Sequence, residues 1–281
     1  MGNRINAVKS AVAAIAVAAL LVPLAACGGS ASADENNNPD AKTIVVGENT
    51  KNNKPYNYLN EDGEIDGYEA ALLKEIDKKL PQYKFQYKSL DWANLLVSLD
   101  TGKIDVAASS LALNDEREQK YAYTEQSDLV LSQKVVVSKK NDSVKSLKDL
   151  AGKTALVWQG VDVTSVFENY NKEHPDNPIN LKYGDWAWEQ YVASIDKGTA
   201  AGGALDVGFV KSLNDDYGDK LKTVGDPVLE TKSHFLVNKN KAQVAKDLDK
   251  AIKELKADGT VNKLSKQYLG YEYKEPGPNA Q

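Results

Sequence analysis

The chain has 281 residues, 42% of them hydrophobic and 27% charged, and a formal net charge of −5 at pH 7. An acidic balance of this kind argues against nucleic acid, and against an anionic membrane held by charge. A single cysteine, Cys27, excludes a disulfide framework and leaves the body after it without a thiolate metal cluster or a catalytic thiol.

The first residues read as a targeting segment. Arg4 and Lys9 form a positive n-region, Ala11–Val22 an apolar h-region, and Leu24-Ala25-Ala26-Cys27 closes it with small residues before a cysteine. The apolar run is short for a membrane span, which needs about 20 residues. The segment resembles a bacterial lipoprotein signal over residues 1–26, with Cys27 lipidated after cleavage; a plain signal peptide would leave Cys27 unmodified. Residues 27–41 form a Gly/Ser/Ala/Asn-rich tether with one proline. Removing 26 of the 281 residues leaves 255, and losing Arg4 and Lys9 takes the charge from −5 to −7. That length suffices for one large core or two small ones. No second long apolar run follows, so the lipid alone would hold the protein at a membrane.

Thr43–Glu48 is a short apolar strand, Pro55–Tyr58 is extended, and Glu61-Asp62-Gly63 is a turn. After Gly67 comes a helix with Leu72, Leu73, Ile76 and Leu80 on one stripe, ended by Pro81. Tyr83–Lys88 alternates as a strand. Asp91 caps a helix through Leu95, Leu96 and Leu99, with Gly102 past its end. Ile104–Ala108 is a short buried strand, followed by Ser109 and Ser110, and Asn114 or Asp115 caps a short helix carrying Arg117. Leu129–Lys139 is a long strand, and Asp142–Leu150 a turn with a short helix. The rhythm restarts with strand Thr154–Val157, helix Thr164–Tyr170, strand Ile179–Tyr183, helix Trp186–Lys197 and strand Leu205–Val210. Gly198–Gly203 reads as a loop insertion and Ser233–Val237 as another strand. Lys241–Lys256 is a strongly amphipathic helix, interrupted at Gly259 and resumed through Val261, Leu264 and Tyr268. The end, Glu275–Gln281, is Pro/Gly/Asn-rich and frayed. Strands alternating with helices mean a mostly parallel sheet covered by helices, and two successive blocks of this kind mean two lobes.

The stretch Ile104–Arg117 carries the strongest functional signal. Hydroxyls and N–H groups at a strand's carboxyl end, beside a helix N-terminus, suit an anion. In open α/β sheets that end is the ligand crevice. An arginine one turn into the helix locks a carboxylate in a two-pronged hydrogen bond.

A set of markers stands in order along Lys42–Tyr273: Val45-Val46-Gly47; Pro55-Tyr56; Gly67-Tyr68-Glu69; Leu90-Asp91-Trp92; Gly102-Lys103-Ile104-Asp105-Val106; Glu116-Arg117; Ser146–Lys153; and Lys256–Thr260. Together, behind a lipoprotein signal, they resemble the polar amino-acid class (family 3) of extracytoplasmic solute-binding proteins of ABC importers. The phrases KEIDKKLPQYKF and DWANLLVSLDTGKIDVAA resemble its subgroup for cystine and related sulfur amino acids. The resemblance implies an α/β, two-lobed periplasmic-binding-protein-like (type II) fold. Each lobe is a mostly parallel sheet flanked by helices, with two hinge crossings near Ser127–Leu131 and Thr231–Phe235. Residues 42–130 and 232–273 then form lobe 1, residues 131–231 lobe 2, and residues 274–281 a tail. It further implies a monomer that captures a small polar ligand between closing lobes and delivers it to a membrane permease, with no bond made or broken, no cofactor and no metal.

By position, the resemblance places ligand contacts at Asn49, Tyr56 (or a neighbour in Asn53–Tyr56), Trp92, Ser109, Ser110, Ala112 and the carboxylate clamp Arg117. The second lobe contributes Gly160, Asp162 and Lys211. Departures accompany it. Ala71 replaces a usual acid, Ala112 lacks a hydroxyl, and Gly160-Val161-Asp162 stands for a Gly-Thr-Thr-like turn. Lys211 stands where an aspartate usually accepts the ligand's amine; it either faces a second anionic group or points to solvent, leaving Asp162 or Glu48 to read the amine.

Other signals are weaker. Trp186 and Trp188, two apart, cannot share a helix face, so one is core and one at most a ligand contact. His174 is solvated, His234 lies near the second crossing in a pH-sensitive position, and two histidines without a Cys partner do not make a metal site. Asp34-Glu35 and Asp215-Asp216 are surface pairs. The rival readings are an enzyme on the same fold, such as a dehydratase using Glu48 or Asp162 as general acid, and a receptor feeding a sensor kinase.

Overall fold

A computed structural model describes residues 38–51 and 53–275. The signal segment, Cys27, Asp34-Glu35, most of the tether and the last six residues lie outside the described residues.

Alternating apolar residues place β1 (Lys42–Asn49) inside a sheet with packing on both faces. Ile44 and Val46 join the core beneath the helices that follow, while Val45 packs with Leu95, Leu99 and Ile104 on the other face. The short strands β2 (Tyr58–Leu59) and β3 (Ile65–Asp66) form a hairpin that leads into α1 (Tyr68–Lys79). Leu72, Leu73 and Ile76 give α1 a fully buried stripe. Its first amides are satisfied by the preceding loop: Tyr68 N–H donates to Pro55 O and Glu69 N–H to Tyr56 O, each at 3.0 Å.

Gly67 makes that close approach possible. Its φ is +121°, and a Cβ there would lie 2.3 Å from the Tyr56 carbonyl oxygen. Gly67→Ala is expected to cost upwards of about 2 kcal/mol, because backbone must move against backbone in a conformation side chains avoid. A melting curve checks this, and a drop of about 4 °C or more is expected.

The first sheet continues through β4 (Tyr83–Leu90), α2 (Trp92–Asp100), β5 (Val106–Ala108), α3 (Asp115–Lys120) and β6 (Ala122–Tyr123). The chain then runs along β7 (Leu129–Ser138) into a second layer of β8 (Thr154–Val157), α4 (Asp162–Glu173), β9 (Asn180–Tyr183), α5 (Trp188–Asp196), β10 (Gly203–Asp206) and α6 (Val207–Tyr217). It returns along β11 (Leu221–Ser233) to β12 (Leu236–Val237), α7 (Ala242–Ala257) and α8 (Thr260–Leu264).

The first sheet has the order β4-β1-β5-β12-β6, and α7 covers it with Val244, Leu248, Ile252 and Leu255. The second joins β10-β7-β11 to the β8–β9 pair through a parallel bridge, Ala155 to Gly202. Both sheets are mixed. The βαβ strands β1, β4 and β5 pair in parallel, as do β8 and β9, while the returning strands pair antiparallel. The long strands β7 and β11 pair from Leu129–Ser233 to Ser138–Leu221, with a register shift between Val224 and Leu229. They are the two passages between the sheets.

Several elements differ from the sequence expectation. The stretch expected to be extended at Pro55–Tyr58 begins as a turn, because the Tyr56 and Asn57 amides both donate to the Asn53 carbonyl, at 2.8 and 3.1 Å. The strand expected over Leu205–Val210 ends at Asp206, whose carboxylate accepts the Gly208 and Phe209 amides and so starts α6. The expected loop Gly198–Gly203 supplies sheet residues at Gly202 and Gly203. A Cβ on Gly203 would meet the Tyr191 hydroxyl at 2.2 Å, so only glycine lets β10 enter the sheet.

Candidate functional site

The carboxyl ends of β1 and β5, the loop before β2 and the starts of α2 and α3 gather most of the expected residues. α3 begins because the Asn114 side chain accepts the Arg117 amide at 2.9 Å. That cap sets Arg117 one turn in, half-buried, with its Nη1 donating to the Ala112 carbonyl at 2.5 Å. The guanidinium carbon lies 5.9 Å from the Trp92 ring centroid. Trp92 opens α2 after the Asp91 cap and is 50% exposed. Arg117 pairs with no carboxylate among the described residues. The chain has two arginines, Arg4 and Arg117, so Arg117 is the one two-pronged carboxylate binder in the described body.

Ser109 is buried at the end of β5, and Ser110 follows with φ +50°. The Ser110 amide donates to Glu69 at 2.8 and 3.1 Å. Asn49 is buried at the end of β1, its side-chain oxygen accepting the Lys51 amide at 3.4 Å. Tyr56 is buried, and its hydroxyl donates to Asp206 of the second sheet. Asp206 also accepts the Ser132 amide at 2.7 Å, and burial raises its pKa despite these donors. A second link, Lys54 to Asp216 at 2.7 Å, runs parallel to the first on the surface.

The structure thus groups Trp92, Ala112 and Arg117 by direct contact, with Ser109 and Ser110 adjoining in the chain. It does not bring Gly160, Asp162 or Lys211 into contact with them. Gly160 is exposed in a turn with φ +74°, and Asp162 is exposed at the start of α4. Lys211 lies on α6, paired with Asp215 at 2.8 Å. Glu48, an alternative reader of the amine, is 0% exposed and stands on the same face of β1 as Ile44 and Val46, which places it in the core.

Three residues with structural roles escaped the sequence reading. Glu69 and Asp206 act through partners far apart in the chain. Trp158, at the end of β8, stacks on Tyr191 at 4.9 Å and meets Trp188 at 5.2 Å. Trp186 and Trp188 both pack against that same cluster. Trp186 precedes α5, so helical spacing does not separate them; its Nε1 donates to Val157 O at 3.2 Å. His174 is exposed and stacks on Tyr170. His234 is buried against the Thr124 carbonyl at 2.7 Å, and burial lowers its pKa. Among the described residues no group of three His, Cys, Asp or Glu side chains is arranged to hold a metal, and no helix is long and apolar enough to cross a membrane.

Comparison with known proteins fits this geometry. The model of the bacterial extracellular solute-binding proteins, family 3, matches residues 44–271. The chain is 37% identical over 256 residues to the L-cystine-binding protein TcyJ of Bacillus subtilis, covering 90% of this chain and 94% of that one. It is 30% identical to the L-cystine-binding protein TcyK of the same organism, covering 90% and 93%. The crystal structure of Bacillus subtilis ytmK, described as a probable amino-acid ABC transporter extracellular-binding protein, superposes with a TM-score of 0.77. That match has 31% identity over 83% of this chain and 100% of that one. The fold is therefore the two-lobed α/β architecture of periplasmic binding proteins, type II, and the chain belongs to the bacterial extracellular solute-binding proteins, family 3.

Proposed function

We propose that this chain is the solute-binding component of an ABC importer for a polar amino acid, with cystine or a related sulfur amino acid as its ligand. In this reading a lipidated Cys27 tethers a monomer to the outer face of the cell membrane. Residues 42–130 and 232–273 form one lobe and residues 131–231 the other, joined by β7 and β11. The ligand enters between them and the closed form docks on a membrane permease. Closure follows from differential affinity: a guest that touches both lobes favours the state in which both are in reach.

The observation that carries the reading is Arg117, half-buried beside Trp92 with no acidic partner among the described residues. A guanidinium placed so at a strand end is set to grip a carboxylate. The names of the relatives at 37% and 30% identity support the sulfur amino-acid class. The dehydratase alternative has less support, because Glu48 is enclosed in the core and Asp162 is exposed on the surface.

A thermal-shift screen over amino acids, cystine, short peptides and small acids tests the proposal. A ligand at about 100 times its dissociation constant adds about 2.7 kcal/mol. For a chain of this size that is a rise of about 5–10 °C. Cystine or a close analogue is expected to give it. A flat screen together with turnover of a prephenate-like compound would transfer the chain to the enzyme class.

A further inference from the structure

Glu69 stands in the first turn of α1, is 0% exposed, and does not cap its own helix. Its carboxylate accepts the Ser110 amide at 2.8 and 3.1 Å and the Asn57 side-chain amide at 2.5 Å. Ser110 is the one non-glycine residue with positive φ among the described residues, a conformation that needs an outside hold. Glu69 supplies that hold, and through Asn57 it also pins the loop that carries Tyr56.

Asp128 lies alongside, also 0% exposed, with its carboxyl beside that of Glu69 and the Ser233 hydroxyl. Its backbone sits where the two passages meet: Asp128 N–H donates to Ser233 O at 3.1 Å, and its carbonyl accepts the Tyr68 hydroxyl at 2.7 Å. Glu69 therefore spans the gap between the Ser110 loop and the start of β7.

We propose that Glu69, paired with Asp128, is a positioning residue of the ligand site, fixing the Ser110 amide and the Asn57 loop against the paired strands β7 and β11 and thereby setting ligand affinity without touching the ligand. The inference rests on the reading of the Ser110–Arg117 stretch as a ligand wall.

Two carboxyl groups side by side in a dry site do not both ionise, so the pair holds one proton between them near neutrality. Burial raises both groups, Asp128 to about 6, against the opposing charge of Lys256 on α7. Glu48 on β1 is a third buried carboxyl nearby, itself protonated below about pH 8, and the hydroxyls of Tyr56 and Tyr68 complete the surroundings. With one proton between them the pair carries a single charge, and the Ser110 amide, which opposes the rise of the Glu69 pKa, draws part of that charge onto Glu69. Below about pH 6 it takes a second proton, the bonds become neutral, and the loop is held more weakly.

The test is calorimetric titration of the mature chain with L-cystine from pH 5 to 7.5; the probe's carboxylates stay charged throughout, and its α-amino groups begin to titrate only at the top of the range, alike for every variant. Wild-type affinity is expected to fall about tenfold toward pH 5, the worth of one charge-assisted bond. Glu69→Gln keeps the shape and an acceptor oxygen but no charge; it is expected to bind about tenfold more weakly at pH 7.5 with a flat profile. Asp128→Asn removes the neighbouring acid and moves the acid limb to lower pH. His234 is unchanged in both variants, so loss of the limb is not its doing. Hydrogen exchange at Ser110 is expected to quicken in Glu69→Gln. Wild-type affinity and an unaltered acid limb in both variants, with only a lower melting point, would overturn the proposal. If the wild type ignores L-cystine, the ligand reading fails, and Ser110 exchange alone decides whether Glu69 holds the loop.

Discussion

Arg117→Ala is expected to abolish ligand binding, weakening it by a hundredfold or more, while the melting point of the empty protein moves by no more than about 2 °C. The two halves of this result have separate causes. In the empty protein Arg117 makes one hydrogen bond, to the Ala112 carbonyl, and one cation–π contact, to a half-exposed Trp92. Neither supports the core, and a cation–π contact at an exposed site is worth about 0.5–1 kcal/mol. With a ligand enclosed, the guanidinium neutralises a desolvated carboxylate. Truncating one partner of such a pair costs about 3–5 kcal/mol, because the other charge is left buried alone. That converts to a loss of about two to four orders of magnitude. Arg117→Lys retains the charge but not the planar fork, and is expected to fall between the two. Full-strength binding by Arg117→Ala would remove it as the anchor.

Much of this site was legible because its signals are local. Asn114 three residues before Arg117 is a capping pattern, and the cap alone puts the guanidinium beside the strand end. The stripes of α1 and α7 were legible for the same reason: Leu72, Leu73 and Ile76, and Val244, Leu248 and Ile252, are bound to share a face once a helix forms.

What escaped depends on pairing at a distance. β11 carries Lys222, Asp226, Pro227, Glu230 and Lys232 over 13 residues, and its sequence alone points to no element. It is a strand because β7 supplies partners along both sides of a bulge. The apolar run at Leu205–Val210 offers no periodicity to tell strand from helix, and the Asp206 cap decides it. Lys211 then follows on a helix, where its nearest acid is Asp215 one turn on. Glu69 looked like any acid in a first helical turn. Its role appears only when the Ser110 loop folds back over 41 residues to reach it.

Glu48→Gln is expected to remove a large part of the loss of stability that accompanies a rise from pH 5 to pH 8. Glu48 points from β1 into the layer between sheet and helices, 0% exposed, with no hydrogen-bond donor for either oxygen among the described residues. Burial raises its pKa to about 8, with Lys74 on α1 opposing only in part. In the unfolded chain it titrates near 4.5. Between these values the folded state holds a proton that the unfolded state has released, so stability is complete below about pH 4.5 and is lost as the pH rises through about 8. The loss runs at about 1.4 kcal/mol per pH unit, up to about 5 kcal/mol in all. A neutral amide at this position has no such slope. The difference in unfolding free energy between Glu48→Gln and wild type is therefore expected to grow in favour of the variant by about 4 kcal/mol from pH 5 to pH 8. In a chain of this size that is a relative gain of about 10 °C in melting point. The slope is the informative quantity, because the amide is itself left short of partners and shifts both ends of the comparison equally. Denaturant titrations at pH 5, 6.5 and 8 measure it. Parallel curves for the two proteins would mean that Glu48 is ionised inside the fold, with its charge met by a group that rearranges to reach it.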